Sequence, residues 1–266
     1  MNILVCIKQV PNTTEIRIDP ETNTLIRKGV PSIVNPFDAY ALEMAARIKD
    51  ATPGCKITVL SMGPEQAKVA LKECLSVGAD KAYLVSGREF GGSDTLATSY
   101  ALSCAMKKLE ETDGKFDLIF CGKQAIDGDT AQVGPELAEH LDYPQITFAI
   151  EVSISGDEVK VKRETDDGHE IVGAKLPCVV TATKPAFEPR YPTVKSKLAA
   201  NRAEIPTIGA ADLVVDLTMV GLKGSPTKVK KTFTPAVKQG GMKIQEETNK
   251  ESAQKLFSLM CEAKMI

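Results

Sequence analysis

The 266 residues suffice for one large domain, or for one domain with an appendage, and 43% of them are hydrophobic, an ordinary share for a folded chain with its own core. A formal net charge of -2 gives no global attraction to nucleic acid or to a membrane surface. The absence of Trp and an aromatic share of only 5% argue against a stacking platform for single-stranded nucleic acid as well.

The opening "MNILVCIKQVP" has one apolar burst interrupted at Lys8, with no cationic leader and no small-residue cleavage site, so it does not read as a signal peptide. No uncharged stretch approaches the ~20 apolar residues that span a bilayer. The expectation is a cytoplasmic protein with no membrane insertion. Cys6, Cys55, Cys74, Cys104, Cys121, Cys178 and Cys261 contain no C-x-x-C pair, which argues against zinc, iron-sulfur clusters and disulfides, and most are read as small buried hydrophobes.

In chain order, "ILVCIKQV" (3–10) predicts a first strand, and "KITVLS" (56–61), "KAYLVS" (81–86) and "DLIFCG" (117–122) predict three more. Between them lie amphipathic helices. "DAYALEMAARIK" (38–49) puts Ala41, Leu42, Ala45 and Ile48 on one side. "PEQAKVALKECLSVG" repeats Ala67, Ala70, Leu71, Cys74 and Leu75 at helical spacing, with Pro64 suited to the first turn and Gly78 to the stop. Residues 94 to about 111 align Leu102, Ala105, Met106 and Leu109, and "ELAEHL" ends a fourth helix. Four strands alternating with four helices predict an α/β fold, doubly wound around a mainly parallel sheet. Ligands bind such sheets at the carboxyl ends of the strands, where strand order reverses.

Two stretches depart from that alternation. "EIRID" and "TLIRK", around Pro20–Asn23, predict a small hairpin after the first strand. From residue 145, "QITFAIEVSIS", "DEVKVKRET" and "HEIVGAKLPCVVTATK" predict strands or a hairpin added to the sheet. The expected division is a nucleotide-binding domain over 1–220 and a basic, Gly/Pro-punctuated arm over 221–266, closed by a helix with Leu256, Leu259, Met260 and Ala263 on one face.

The chain has no G-x-x-x-x-G-K-[ST], no G-x-G-x-x-G after strand 1 and no G-x-S-x-G. Its two histidines, His140 and His169, lack metal-ligand companions. The informative stretch is "CGKQAIDGDTAQVGPELAEHL" (121–141). Gly122 ends a strand where a ligand can approach backbone, and Pro135 fits only a first helical turn, so the amides before it sit at a helix N-terminus. Such amides suit a phosphate, each charge interaction being worth roughly 0.3–1 kcal/mol. Thr130 and Gln132 add side-chain donors, while Asp127 and Asp129 would repel phosphate and are read as capping or orienting the loop. A capped turn with no ligand is the alternative. Asn35, Pro36 and Asp38 precede or open a helix, with a plain N-cap as the simpler reading, and "SMGP" (61–64) passes backbone near a possible adenine edge. "REFGGSDTLATSYA" (88–101) only superficially resembles the pyrophosphate loop of ATP pyrophosphatases, since it follows the third strand and Phe90 precedes its glycines.

Taken together, "ILVCIKQVP", "NPFDAYALE", "SMGP", "VGAD", "GKQAIDGDTAQVGP", "LPCVVTAT" and "EPRYP", in this order and nearly end to end, resemble the beta (small) subunit of electron transfer flavoprotein. The resemblance implies a modified Rossmann-like α/β fold and a heterodimer with an alpha subunit that carries FAD. It implies adenine and ribose contacts at Cys6, Asn35, Phe37, Asp38 and Met62. Phosphate contacts are implied at Gly122, Gln124, Gly128, Asp129, Thr130, Gln132, Val133 and Gly134. Housekeeping members hold AMP in this subunit, whereas electron-bifurcating members hold a second FAD and take hydride from NADH. "FGGSDTLATS" (90–99) resembles the bifurcating motif, with Ser93 where alanine is expected, and so implies FAD with NAD(H) at Gly91, Gly92, Asp94 and Thr95. No side chain is then needed as a catalytic acid or base. The implied partners are an acyl-CoA dehydrogenase, docking on a loop near Glu188–Ala200 with Val194 at the family's leucine anchor, and ferredoxin or flavodoxin. A subunit with structural AMP and a stand-alone nucleotide-binding module are the competing readings.

Overall fold

In the computed structural model, which describes residues 1–12, 31–230 and 240–266, the first apolar run is two strands and not the single strand expected over 3–10. β1 (Asn2–Cys6) stops where the Ile7 amide donates to the Leu60 carbonyl at 2.8 Å and the Lys8 amide to Asp38 Oδ2 at 2.7 Å. Once Asp38 takes that donor the ladder ends, and β2 (Gln9–Pro11) pairs antiparallel with β3 (Ser32–Val34) in a separate ribbon. The hairpin expected around Pro20–Asn23 lies outside the described residues.

The alternation that follows is the expected one: α1 (Pro36–Ala51), β4 (Lys56–Met62), α2 (Lys68–Ser76), β5 (Lys81–Val85), α3 (Thr95–Asp113), β6 (Leu118–Gly122) and α4 (Val133–Leu141). Glu65–Ala67, expected to be helical, forms a 3-10 turn before α2. Next come β7 (Gln145–Ser155), β8 (Glu158–Thr165), β9 (Gly168–Lys175) and β10 (Cys178–Ala182), then α5 (Val194–Arg202), β11 (Thr207–Ile208), α6 (Gly221–Gly224) and α7 (Asn249–Glu262).

The main sheet has the order β11-β5-β4-β1-β6-β10-β7-β8-β9, parallel from β11 to β7 and antiparallel through β8 and β9. The stretch 169–184 therefore serves two places. Its first half is the exposed outer strand β9, while "CVVTA" returns to the interior as β10, buried at every position between β6 and β7. An uninterrupted apolar run suits a strand covered on both faces.

Alternate strand residues face opposite helical layers. Ile3, Val5, Ile57, Val59 and Phe120 belong to the core formed with Leu42, Ala45, Leu71 and Cys74 of α1 and α2. Leu4, Leu60, Val85, Ile119 and Val179 belong to the core formed with Leu102, Met106, Leu137 and Ala138 of α3 and α4. Six cysteines are buried, as expected of small apolar side chains, and Cys261 is exposed. Among the described residues no helix is long and apolar enough to cross a membrane.

Residues 1–12 and 31–230 form one compact unit, and 240–266 belong to a second. In the second, a capping box starts α7: the Glu251 amide donates to Thr248 Oγ1 at 3.2 Å and the Thr248 amide to Glu251 Oε2 at 3.0 Å.

Candidate functional site

Chain order reverses at β1, which has β4 on one side and β6 on the other. At the carboxyl ends of these strands opens a cavity of about 660 Å³, within the usual range for ligand pockets. Of the seventeen residues singled out from the sequence, all but Asn35, Phe37 and Asp129 line it.

One wall is the loop between β6 and α4. Its start is pinned by the Gly122 amide donating to Asp38 Oδ1 at 3.1 Å and the Lys123 amide to the Ala182 carbonyl at 2.7 Å. The Gly128 and Asp129 amides both turn back to the Ala125 carbonyl, at 3.1 and 2.8 Å. The two acids orient the loop: Asp127 pairs with Lys8 Nζ at 2.7 Å, and Asp129 accepts from Gln124 Nε2 at 2.8 Å. Asp129 and Ala131 take φ values of 52° and 55°, so the backbone folds into a concave turn. Beyond it, the amides of Thr130, Ala131, Gln132, Val133 and Gly134 find no acceptor among the described residues. Pro135 stands in the first turn of α4, where its missing donor costs nothing. Free donors of residues that line a cavity at the positive end of a helix are suited to an anion.

Asp38 lies at the floor of the cavity, and Asn35 is buried behind it. Asn35 precedes α1 but makes no capping bond, so the plain N-cap reading gives way to another role. Its Nδ2 donates to Asp38 Oδ1 at 3.0 Å and to the Gln124 carbonyl at 2.8 Å, and its Oδ1 accepts the Ile126 amide at 3.2 Å. Asn35 is thus a cross-brace between α1 and the loop that joins β6 to α4. Burial pushes the Asp38 carboxyl up to about 7, against the pull of its donors from Asn35, Lys8 and Gly122.

The opposite wall is the loop before α3. Asp94 caps α3, with Oδ1 accepting the Ala97 amide at 3.1 Å, while Oδ2 accepts the Thr227 amide at 2.9 Å and its own amide donates to Ser225 Oγ at 2.8 Å. Gly92, at φ 74°, is tightly covered by Leu222, because an added Cβ would come within 2.7 Å of that side chain. The glycine pair that the sequence offered for close ligand approach thus also admits the 221–227 segment, a neighbour that its composition did not announce. Thr95 Oγ1 reaches Glu136 Oε1 at 3.1 Å and Gln132 Oε1 at 3.3 Å, tying the starts of α3 and α4 together. Lys8, Leu222, Ser225 and Thr227 were missed by sequence reasoning. Only Lys8 left a signal, as the charge that interrupts the first apolar run. Among the described residues no group of His, Cys, Asp and Glu is arranged to hold a metal.

Residues 22–213 match the electron transfer flavoprotein domain. The chain belongs to the electron transfer flavoprotein family. It is 53% identical over 255 residues to the electron transfer flavoprotein subunit beta of Megasphaera elsdenii, covering 95% of this chain and 94% of that protein. It is 46% identical over 266 residues, all of both chains, to the caffeyl-CoA reductase-Etf complex subunit CarD of Acetobacterium woodii. It is also 47% identical over 239 residues to the protein FixA of Azotobacter vinelandii, covering 88% and 84%.

The left-handed backbone at Ala131 gives this flavoprotein subunit a testable weak point. Replacing Ala131 by Val, whose branched Cβ is disfavoured there, is expected to lower stability by about 1–2 kcal/mol and to loosen the loop, whereas Ala131→Gly should be neutral or mildly stabilising. Urea denaturation of the three proteins gives the ranking; a Val variant as stable as the parent would remove the claim of a constrained turn.

Proposed function

We propose that this beta subunit holds FAD in the cavity at the β1/β6 reversal and accepts hydride there from NADH. The two electrons would then part, one to the FAD of the alpha subunit and on to an acyl-CoA dehydrogenase, the other to ferredoxin or flavodoxin. The observation that carries this reading is the set of five amides, Thr130 to Gly134, that find no acceptor among the described residues and belong to residues lining a cavity of about 660 Å³. That space extends from Cys6 and Met62 to the loop before α3, giving room for a dinucleotide. The name of the Acetobacterium woodii relative supports an acyl-CoA-linked redox partner. The absence of a membrane-crossing helix among the described residues is compatible with work in the cytoplasm.

The donor set fits the group. The amides of 130–134, with Thr130 and Gln132, would hold its phosphates, and the edge formed by Cys6, Asp38 and Met62 would take its adenosine part. A bound flavin supplies the exchange between two-electron and one-electron chemistry, and the protein supplies place and field. Asn35 and Asp38 keep the loop from collapsing, and the Thr95–Glu136 pair keeps the cavity walls at fixed separation. Of the arm expected over 221–266, residues 221–230 belong to the first unit, and the second unit is proposed as the part that docks on the alpha subunit, with Leu256 and Phe257 of α7 exposed for that contact and Leu259 and Met260 beside them.

The direct test is to release the ligands of the purified alpha/beta complex with acid and count them by chromatography. Two FAD per heterodimer are expected; one FAD with one AMP would replace bifurcation by simple electron transfer. The double variant Thr130→Ala with Gln132→Ala is expected to weaken nucleotide retention on dialysis by about 10-fold, two modest hydrogen bonds being lost, with an unchanged melting temperature of the emptied protein. Unaltered retention would count against the phosphate assignment.

A further inference from the structure

Glu43 is a carboxylate that the cavity does not use, on the buried side of α1 with its side chain only 7% exposed. A buried charge persists only when it is paired, and one residue far along the chain provides the pairing. The Arg190 amide donates to Glu43 Oε2 at 3.1 Å, its Nε donates to the same oxygen at 2.8 Å, and Nη2 donates to Oε1 at 3.2 Å. This is the two-pronged geometry that a guanidinium offers and an ammonium does not. Nη2 also reaches Asp50 Oδ2 at 2.8 Å, near the end of the same helix. One turn from Glu43, Arg47 stands 3.7 Å from Glu43 Oε1 and lays its guanidinium 4.0 Å from the centre of the Phe187 ring. Phe187 and Arg190 are thus both fastened to α1, and the chain between them is stapled at two points.

What this staple presents is α5. Tyr191 is 91% exposed, Val194 79% and Leu198 53%, and the last two lie four residues apart on one face of the helix. The Thr193–Ser196 capping box starts the helix, while Ala200 is buried and Lys72 Nζ donates to the Asn201 carbonyl at 2.8 Å, fixing its far end. The same α1 that holds Arg190 carries, in its first turn, Asp38 of the cavity floor.

We propose that Glu43 and Arg190 are positioning residues for electron exchange with the partner dehydrogenase, their ion pair holding the exposed face of α5 in a fixed place relative to the nucleotide cavity through the rigid strut of α1. This inference rests on the reading of residues 188–200 as the docking segment. Its physical content is preorganisation: a segment already ordered before encounter spares the complex the entropy of ordering it. Loss of the pair should therefore weaken association and leave the cofactor cavity alone.

The test uses the intact alpha/beta complex with a purified short-chain acyl-CoA dehydrogenase as the electron-exchanging partner. For Arg190→Ala the KM for the dehydrogenase is expected to rise about 10-fold, with kcat within about 2-fold and flavin content unchanged, and Arg190→Lys should recover part of the loss because it restores the charge without the fork. Arg190→Lys also keeps the test open should the alanine variant fail to fold. Leu198→Glu, in parallel, probes the docking face itself. If Leu198→Glu leaves KM unchanged, the docking reading fails and this inference falls with it. If Leu198→Glu raises KM while neither Arg190 variant does, only the positioning role is overturned. A flavin loss that accompanies the KM change would assign the pair to folding and also overturn it.

Discussion

Replacing Gly122 by Ala is expected to empty the nucleotide cavity and to destabilise the subunit by roughly 3 kcal/mol or more, by overpacking and by the loss of a buried hydrogen bond. A Cβ at this position would overlap the Asp38 carboxylate and approach the Asp38 amide nitrogen and the Phe37 carbonyl carbon to 2.8 Å. Two of these neighbours are backbone at the start of α1 and have no rotamer to give. The bond from the Gly122 amide to Asp38 would have to open, and with it the register between the end of β6 and the cavity floor. Thermal unfolding and acid-released ligand measured on one preparation give the result. A Gly122→Ala protein with parental stability and full nucleotide content would mean that β6 and α1 can separate freely, against the geometry described above.

Asp38→Ala should be nearly as damaging, for the opposite reason. It adds no bulk but leaves the Lys8 amide, the Gly122 amide and Asn35 Nδ2 without their shared acceptor, at about 1–3 kcal/mol for each buried donor left unpaired. The carboxyl also imposes a pH dependence whose sign follows from its environment. Burial raises its pKa from the ordinary 3.8 to about 7, so between these values the folded chain keeps a proton that the unfolded chain has released. The stability it contributes is complete below about pH 4 and is lost as the pH rises through about 7. Asp38→Asn, close in shape and without the titration, should show a flatter dependence of Tm on pH across this window. Identical profiles for the parent and Asp38→Asn would place the ionised carboxylate at ease in its site and remove burial as the dominant influence.

These two residues also mark the boundary of what the sequence made legible. The alternation of β4, β5 and β6 with α1 to α4 could be read because buried parallel strands are nearly continuous in apolar residues and the helices carry one apolar stripe. The loop 122–134 could be read because Gly122 and Pro135 have few places to stand. What escaped depends on partners distant in the chain. Asn35 looked like a cap because its local context is that of a cap, and only the fold brings it to Gln124 and Ile126. Gly92 lines the cavity as its motif suggests, but nothing nearby announced that Leu222 would also cover it. Lys8 ends β1 by giving its amide to Asp38, a contact across thirty residues that no periodicity encodes. Similarly, "HEIVGAK" and "CVVTA" read as neighbouring β segments, yet the first borders solvent and the second fills the middle of the sheet. Propensity gave the strand type in both cases, and tertiary burial decided the place.

Whether the turn between β6 and α4 grips the anionic part of a nucleotide is decided most directly by the position of that ligand in a crystal of the alpha/beta complex. Phosphate oxygens within about 3 Å of the amide nitrogens of Thr130 to Gly134 are expected, the normal span of such a hydrogen bond. Ordered water alone on those amides, with the nucleotide of this subunit bound elsewhere, would contradict the assignment.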